Sequence, residues 1–242
     1  MKLTLTPGLS PAEVAFLCEM EVVTVVPRQR LESLNLLGGT TPPLRPPQRC
    51  DLPLWLALLL KRQNRANILT PPWLVHSSLE LILEYETETS PLSFSPPPPH
   101  PYPVSAHPAI TDHFSPPFLP SSTADSPSEY LPYHWLEIGE ILLETCSDDI
   151  PDSERVRSLL RDLREVRMSK MRNSIKDLES GGIGSLRGVG AMEVAESRAF
   201  IVGVMDGLRK LSSSREISSR EREENEEGNF GEESESDTDM AM

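Results

Sequence analysis

The alternation of apolar and polar residues near the start of the chain predicts one helix and two short strands. The segment Ser10–Glu13, with the sequence SPAE, is a capping box with proline at the first helical position, so a helix is expected to run to about Met20. The β-branched run 21–27 and the segment 34–39 are typical of strands, and the proline-rich stretch 40–53 of an irregular connection. The expected apolar side of the helix comprises Val14, Phe16 and Leu17.

A second helix is predicted directly after Pro53, because proline suits the first helical turn. Trp55, Leu58 and Leu59 fall on one face at i, i+3 and i+4, and further leucines occupy the other sides, so the helix is expected to be buried between two layers. Its apolar run 54–60 is about a third of the roughly 20 residues that cross a bilayer. The cations at its end are expected to complement the helix dipole rather than to contact nucleic acid. They are Lys61, Arg62 and Arg65.

The following segment restarts the chain as a helix. Thr70 is expected to cap this helix, with Pro71 and Pro72 in its first turn and Trp73 turned inward. Trp55 and Trp73 are therefore predicted to anchor a β-rich domain, residues 1–69, to a helical domain that begins at residue 70.

Proline density breaks the pattern in the segment 91–129, where no helix or strand ladder is expected to persist. The segment is predicted to be a disordered, polyproline-type insertion. The stretch 94–103 is compatible with a ligand for an aromatic-lined groove, although an unselected spacer is the favoured interpretation.

Periodic apolar positions return after residue 130 and predict three helices: one within 134–146, a long one from Asp152 or Ser153, and a last one over 192–211. In the first of these, Glu137, Glu140 and Glu144 share a face and are interpreted as a solvated row.

The long helix interleaves eight basic residues between 155 and 176 with acidic ones, which favours intrahelical pairs or a partner protein over phosphate tracking. Its apolar positions keep mostly three- and four-residue spacing. Three of them are expected to serve either the core or a contact with a partner chain. These are Leu159, Leu163 and Val166.

The C-terminal segment is too polar to bury a core. From Arg215 onward, eleven Asp and Glu face three Arg, a net charge of −8, so residues 213–242 are predicted to form a disordered acidic tail. Ser234 and Ser236 each have an acidic residue three positions on, which suits an acidophilic kinase.

Charge, cysteine content and hydrophobicity argue against several classes of function. The formal charge of −14 argues against wholesale binding of a phosphate backbone, although a local basic face is compatible with it. Cys18, Cys50 and Cys146 are far apart and in no C-x-x-C pair, so neither a disulfide framework nor a zinc site is predicted. The chain lacks a bilayer-length apolar segment, and its start lacks the apolar core of a signal peptide, so no membrane association is expected.

The sequence contains no recognised catalytic or cofactor-binding motif. There is no Walker loop, nucleophile elbow or H-E-x-x-H sequence. Gly182, Gly184 and Gly188 follow a predicted helix with a spacing that does not fit a dinucleotide loop, so an interhelical linker is favoured. We therefore expect no enzyme activity, no cofactor and no metal.

An ordered set of segments resembles the second Psf subunit of GINS, a complex of eukaryotic replication forks. The segments are "AEVAFLCEMEVVTVVP", "LNLLGG", "DLPLWLALLLKRQNRANILTPPWL", "LPYHWLEIGEILLETCSDDIPDSERVRSLLRDLREVRMSKMR" and "MEVAESRAFIVGVMDGLRKL". The resemblance covers most of 10–90 and 130–211, with "PLWLA" followed by "TPPWL" and the "SDDIP" join as its most specific parts. It does not extend to the insertion or the acidic tail.

The resemblance implies a non-catalytic scaffold of the α+β class, mainly α, in which a small N-terminal β-rich domain is followed by an α-helical bundle. Combined with the composition, it predicts a β-rich domain at 1–69, a helical domain at 70–90 and 130–212, a disordered insertion at 91–129 and a disordered tail at 213–242.

The implied partners are three sister subunits in a heterotetramer, together with the Mcm hexamer and a Cdc-type protein of the CMG helicase. Association with DNA would run mainly through the complex. The implied role is initiation and elongation of DNA replication in the nucleus. The alternative is a proline-rich adaptor that binds groove domains through 91–129.

Overall fold

The computed structural model of the protein describes residues 8–36, 39–99, 126–179 and 187–232, and of these the side chains at 175–179, 208 and 216–232 are not described. The chain divides into two compact units, Met1–Ser197 and Arg198–Met242. The first unit holds a small antiparallel sheet followed by helices, so the predicted α+β class with the β-rich part first is confirmed. In the described residues, no helix is long and apolar enough to cross a membrane.

Helix α1 (Pro11–Cys18) begins with the predicted capping box, in which Ser10 Oγ accepts the Glu13 N–H at 3.3 Å and the Ser10 N–H donates to Glu13 Oε2 at 2.7 Å. The predicted apolar side is wrong in part. Val14 and Cys18, an i, i+4 pair, are buried, whereas Phe16 and Leu17 are exposed. A helix of eight residues with apolar side chains on several sides does not reveal its packed face by pattern alone.

Strand β1 (Val22–Pro27) is the centre of a three-stranded sheet and pairs antiparallel with β4 (Cys50–Pro53) and β5 (Ala66–Ile68). The expectation of an irregular connection up to Pro53 is therefore wrong at its end. Leu52 in β4 is buried in the core, and this burial outweighs the unfavourable effect of the preceding prolines on strand formation. The predicted strand at 34–39 divides into β2 (Asn35–Leu36) and β3 (Gly39–Thr40), which pair with each other.

Helix α2 (Leu54–Arg62) starts without a side-chain cap. Its first two N–H groups donate instead to carbonyls at the end of α1 and the turn after it: Leu54 to Glu21 at 2.7 Å and Trp55 to Glu19 at 3.0 Å. The face predicted to pack is buried only in part, since Leu58 is 6% exposed, whereas Trp55 is half-buried and Leu59 is 45% exposed.

The helical part contains α3 (His76–Glu84), α4 (Trp135–Thr145) and α5 (Ser153–Glu179), and α5 packs against both α3 and α4. A 3₁₀ turn (Pro72–Leu74) precedes α3, and a π turn (Tyr85–Thr89) follows it. Thr70 does not cap a helix as predicted, because its Oγ1 donates to the Asp149 carbonyl at 3.0 Å. The largest fully buried side chains here are Trp73 and Trp135.

Two boundaries differ from the sequence expectation. Residues 91–99 are described, and Phe94 and Ser95 are buried, so the folded part includes the first residues of the predicted insertion. Helix α6 (Ala191–Glu232) continues beyond the predicted end at 211, through Glu- and Arg-rich sequence of high helix propensity. The remaining insertion residues 100–125 and the tail residues Ser234 and Ser236 lie outside the described residues.

Candidate functional site

Lys61 at the end of α2 fastens the β-rich part to the helical part. Its Nζ donates to Asp148 Oδ2 at 2.8 Å and to Asp149 Oδ2 at 2.7 Å, and the side chain is 9% exposed. Asp149 Oδ2 also accepts the Ile68 N–H of β5 at 2.9 Å. The short 3₁₀ turn Ser147–Asp149 therefore joins α2, β5 and the segment after it.

Electrostatics stabilise this junction. Burial lowers the pKa of Lys61, but hydrogen bonds and charge from Asp148 and Asp149 outweigh it, so the pKa is raised. The hydrogen bond from Lys61 holds the pKa of Asp148 below its ordinary value. Lys61 is thus a link between elements rather than a solvated helix end. The neighbouring Arg62 and Arg65 are exposed.

The residues predicted as core or subunit contacts divide into two groups. Trp73 and Leu163 are fully buried, and Leu58 is 6% exposed. The others are half-buried or exposed, so they retain surface that a partner chain could cover. These are Trp55, Leu59, Leu159 and Val166.

A buried ion network surrounds Arg167, in the middle of α5. Its guanidinium donates to both carboxylate oxygens of Glu193, at 2.6 Å from Nε and 2.9 Å from Nη2. Nη1 pairs with Glu86 Oε1, and Nη2 also donates to the Gly188 carbonyl at 2.7 Å. Its Cζ lies over the Phe94 ring, 5.0 Å from the ring centroid. One side chain therefore contacts the start of α6, the π turn after α3 and the first residues of the proline-rich segment.

Lys170, one turn further along α5, completes the network. Its Nζ donates to Glu86 Oε2 at 3.2 Å and to the carbonyls of Ser90 and Ser93 at 2.9 and 2.8 Å. Ser95 donates from its N–H and its Oγ to Glu86 Oε1. Burial raises the pKa of Glu86, but Arg167 and Ser95 outweigh it, so the pKa is lowered. Two cations thus meet two carboxylates, and the buried charge is balanced.

Arg167 and Lys170 belong to the basic series that was predicted to form intrahelical pairs or to contact a partner protein, but a signal for burial was present in the sequence. Leu160, Leu163, Arg167 and Lys170 follow one another at spacings of three and four residues, so both cations occupy the apolar stripe of α5. Glu137 was also assigned to a solvated row, yet it is 2% exposed and its Oε1 lies 3.1 Å from His134 Nδ1.

Gly188 lies beside the ion network, at a position that only a residue without a side chain can occupy. Its φ of +88° is one that residues with a Cβ rarely adopt, and a Cβ there would lie 2.1 Å from the Ser95 carbonyl oxygen. The close approach lets the Gly188 carbonyl reach Arg167.

Exposed apolar side chains are concentrated on the outer faces of several helices. In α1 Phe16 is 71% exposed, and just after the helix Met20 is 64% exposed. The hydrogen bond from the Trp55 N–H to the Glu19 carbonyl brings this region beside the start of α2. Leu81 in α3 is 63% exposed. Surface of this kind is typical of chains that bind a partner protein.

No catalytic constellation is brought together by the described residues, and none of their His, Cys, Asp and Glu side chains form a group of three or more that could hold a metal. Burial raises the pKa of Cys18 and of Cys146 to about 12, so neither thiol is activated as a nucleophile. The described residues thus provide exposed apolar side chains on helix surfaces rather than a reactive group.

Comparison with known proteins identifies two family models along the chain. The PSF2 N-terminal domain matches residues 10–69, and the GINS complex protein helical bundle domain matches residues 73–212. The two matches abut at the junction built by Lys61 and Asp149.

Curated relatives match over most of their length. The chain is 59% identical over 225 residues to the DNA replication complex GINS protein PSF2 of Gibberella zeae, covering 89% of this chain and 90% of the relative. It is 52% identical over 271 aligned positions to the protein of the same name from Neurospora crassa, covering 100% and 99%. The Schizosaccharomyces pombe protein is 34% identical over 204 residues, covering 84% and 91%.

Proposed function

Because the chain belongs to the PSF2 family of the DNA replication complex GINS, we propose that it is a non-catalytic scaffold subunit that assembles with three sister subunits into a heterotetramer. The observation that carries the proposal is the pair of family matches, which together span both the β-rich and the helical part.

The structure supports assembly on physical grounds. The apolar side chains on α1, α2 and α3 are exposed, so a partner could bury them. Such burial contributes a favourable free energy of about 25 cal/mol for each Å² of apolar surface. Obligate interfaces have this apolar character. The ion network around Arg167 and the Lys61 junction keep the outer faces in fixed positions, which lowers the entropy cost of binding.

Membership of the family also supports a proposal about the wider role. We propose that the tetramer joins the Mcm hexamer and a Cdc-type protein in the CMG replicative helicase, acts in initiation and elongation of DNA replication, and works in the nucleus. DNA would be reached mainly through the complex. The absence of an assembled catalytic group among the described residues is compatible with a scaffold.

Co-expression tests the proposal. A tagged copy of the chain, expressed with the three other GINS subunits, is expected to recover them in equal amounts. Leu59→Glu places a charge on the outer face of α2 and should reduce that recovery at least ten-fold, because it makes an apolar contact polar. Ser158→Glu, at an exposed polar position of α5, is the matched control and should assemble normally.

Recovery of the chain without sister subunits would overturn the proposed tetramer. Equal recovery from both variants would instead show that Leu59 lies outside the interface, and the proposed scaffold role would stand.

A further inference from the structure

Six exposed arginines lie in three short segments of the β-rich part. The segments 28–30, 45–49 and 61–65 read RQR, RPPQR and KRQNR. Residues 22–69 contain seven Lys and Arg against two Asp and Glu, a net charge of +5 within a chain of −14. The exposed arginines are Arg28, Arg30, Arg45, Arg49, Arg62 and Arg65.

Sheet topology brings the three segments to one end of the β-sheet. Strand β1 ends at Pro27, whereas its antiparallel neighbours β4 and β5 begin at Cys50 and Ala66, so all three ends coincide. The Arg28 N–H donates to the Arg65 carbonyl at 2.7 Å. An antiparallel bridge between Leu31 and Leu44 places Arg30 opposite Arg45. We call this end of the sheet the arginine end.

The side chains between the arginines are amides and two prolines rather than acids. Gln29, Gln48, Gln63 and Asn64 are exposed, and the three segments contain no Asp or Glu. Lys61, the remaining cation, has its charge matched by Asp148 and Asp149. Asp148 is also the carboxylate whose charge interacts with Arg28.

We propose that the arginine end is a contact surface for the phosphate backbone of duplex nucleic acid. Arginine forms paired hydrogen bonds with phosphate, and glutamine and asparagine are common additional donors to it. The three segments contain no aromatic residue on which single-stranded bases could stack and no large apolar side chain that could anchor a peptide. The contact therefore depends on charge and is independent of base sequence.

This surface is separate from the scaffold role, because it lies at the sheet end and uses residues that the assembly proposal does not need. A local net charge of +5 can bind phosphates although the whole chain is acidic, since screening limits the repulsion from distant acids to about 10 Å at 0.1 M salt.

Fluorescence anisotropy with the full chain and a mixed-sequence DNA duplex of about 30 base pairs tests the proposal at low salt. The variant R30Q/R49Q/R65Q removes one arginine from each segment and should weaken binding at least ten-fold. It should also reduce the slope of log affinity against log salt by about 2.7, or about 0.9 for each lost contact.

The matched control R161Q/R172Q/R209Q removes the same charge from exposed positions on α5 and α6 and should bind as the unaltered chain does. Equal weakening by both triple variants, or no measurable binding of duplex DNA, would overturn the proposal. Tighter binding of a polyglutamate peptide than of the duplex would also overturn it and would identify an acidic protein segment as the occupant. Circular dichroism should show all variants folded, because the substituted side chains are exposed.

Discussion

Arg167 in α5 and Glu193 in the first turn of α6 form a buried, two-pronged ion pair, with Nε to Oε1 at 2.6 Å and Nη2 to Oε2 at 2.9 Å. Their side chains are 0% and 2% exposed. Glu193 Oε2 also accepts the Gly190 N–H at 2.6 Å, so the same carboxylate caps the start of α6. The beginning of the last helix is therefore fixed by charge as well as by packing.

Replacing Arg167 by methionine should lower the free energy of unfolding by about 3–5 kcal/mol, because Glu86 and Glu193 would remain buried without a compensating cation. Denaturant unfolding followed by circular dichroism measures the change. Arg161→Met, at an exposed position of the same helix, is the control and should alter stability by less than about 0.5 kcal/mol. A loss below about 1 kcal/mol for Arg167→Met would show that the network relaxes or hydrates.

Replacing Lys61 by methionine should lower the free energy of unfolding by about 1–3 kcal/mol, since Asp149 loses its cation while remaining mostly buried. Amide hydrogen exchange should increase at Ile68, whose N–H donates to Asp149. Arg62→Met, the exposed neighbour, should change neither quantity. Unaltered exchange at Ile68 in the Lys61 variant would contradict a role for Lys61 in holding the two parts together.

The stability of the chain should depend on the ionisation of Glu86. A carboxyl group whose pKa is lowered in the folded state stabilises the fold above its unfolded pKa, near 4.5 for glutamate, and this contribution is lost as pH falls through the folded pKa. Glu86→Gln should therefore be less stable than the unaltered chain at pH 7, with a difference that shrinks below about pH 4.5. Urea unfolding across this pH range measures it, and a difference independent of pH would exclude an ionised Glu86.

Removing residues 100–125 and joining the ends with a short Gly-Ser linker should leave assembly and melting temperature unchanged. Deleting 91–129 should lower the melting temperature by several degrees, because it also removes Phe94 and Ser95, which contact Arg167 and Glu86. Differential scanning calorimetry and co-purification with the GINS subunits compare the two. Loss of partners in the shorter deletion would favour the proline-rich adaptor over the scaffold.

Local signals in the sequence predicted several elements well. The capping box at Ser10, the β-branched strand β1 and the three- and four-residue spacing in α5 each reflect interactions within a few residues, so they are visible without tertiary information. The order of the β-rich and helical parts followed from them and from the resemblance.

The elements that sequence reasoning missed depend on distant contacts. Strand β4 exists because β1, more than twenty residues earlier, supplies its hydrogen bonds. The packed face of α2 could not be assigned because seven of its nine residues are apolar. Arg167 and Lys170 were expected to form intrahelical pairs or to contact a partner protein, because their partners Glu86 and Glu193 lie on other helices. Their place on the apolar stripe nevertheless indicated burial.

The backbone bonds at the start of α2 also determine how much of the chain can be trimmed. Because the Leu54 and Trp55 N–H groups are satisfied by the carbonyls of Glu21 and Glu19, removal of the first 21 residues leaves two donors at a mostly buried helix start without acceptors. A product that begins at Val22 would retain every residue of the sheet and still have a frayed α2. The segment that contains Glu19 and Glu21 is thus required at the start of α2, and its proteolytic removal should destabilise the helix.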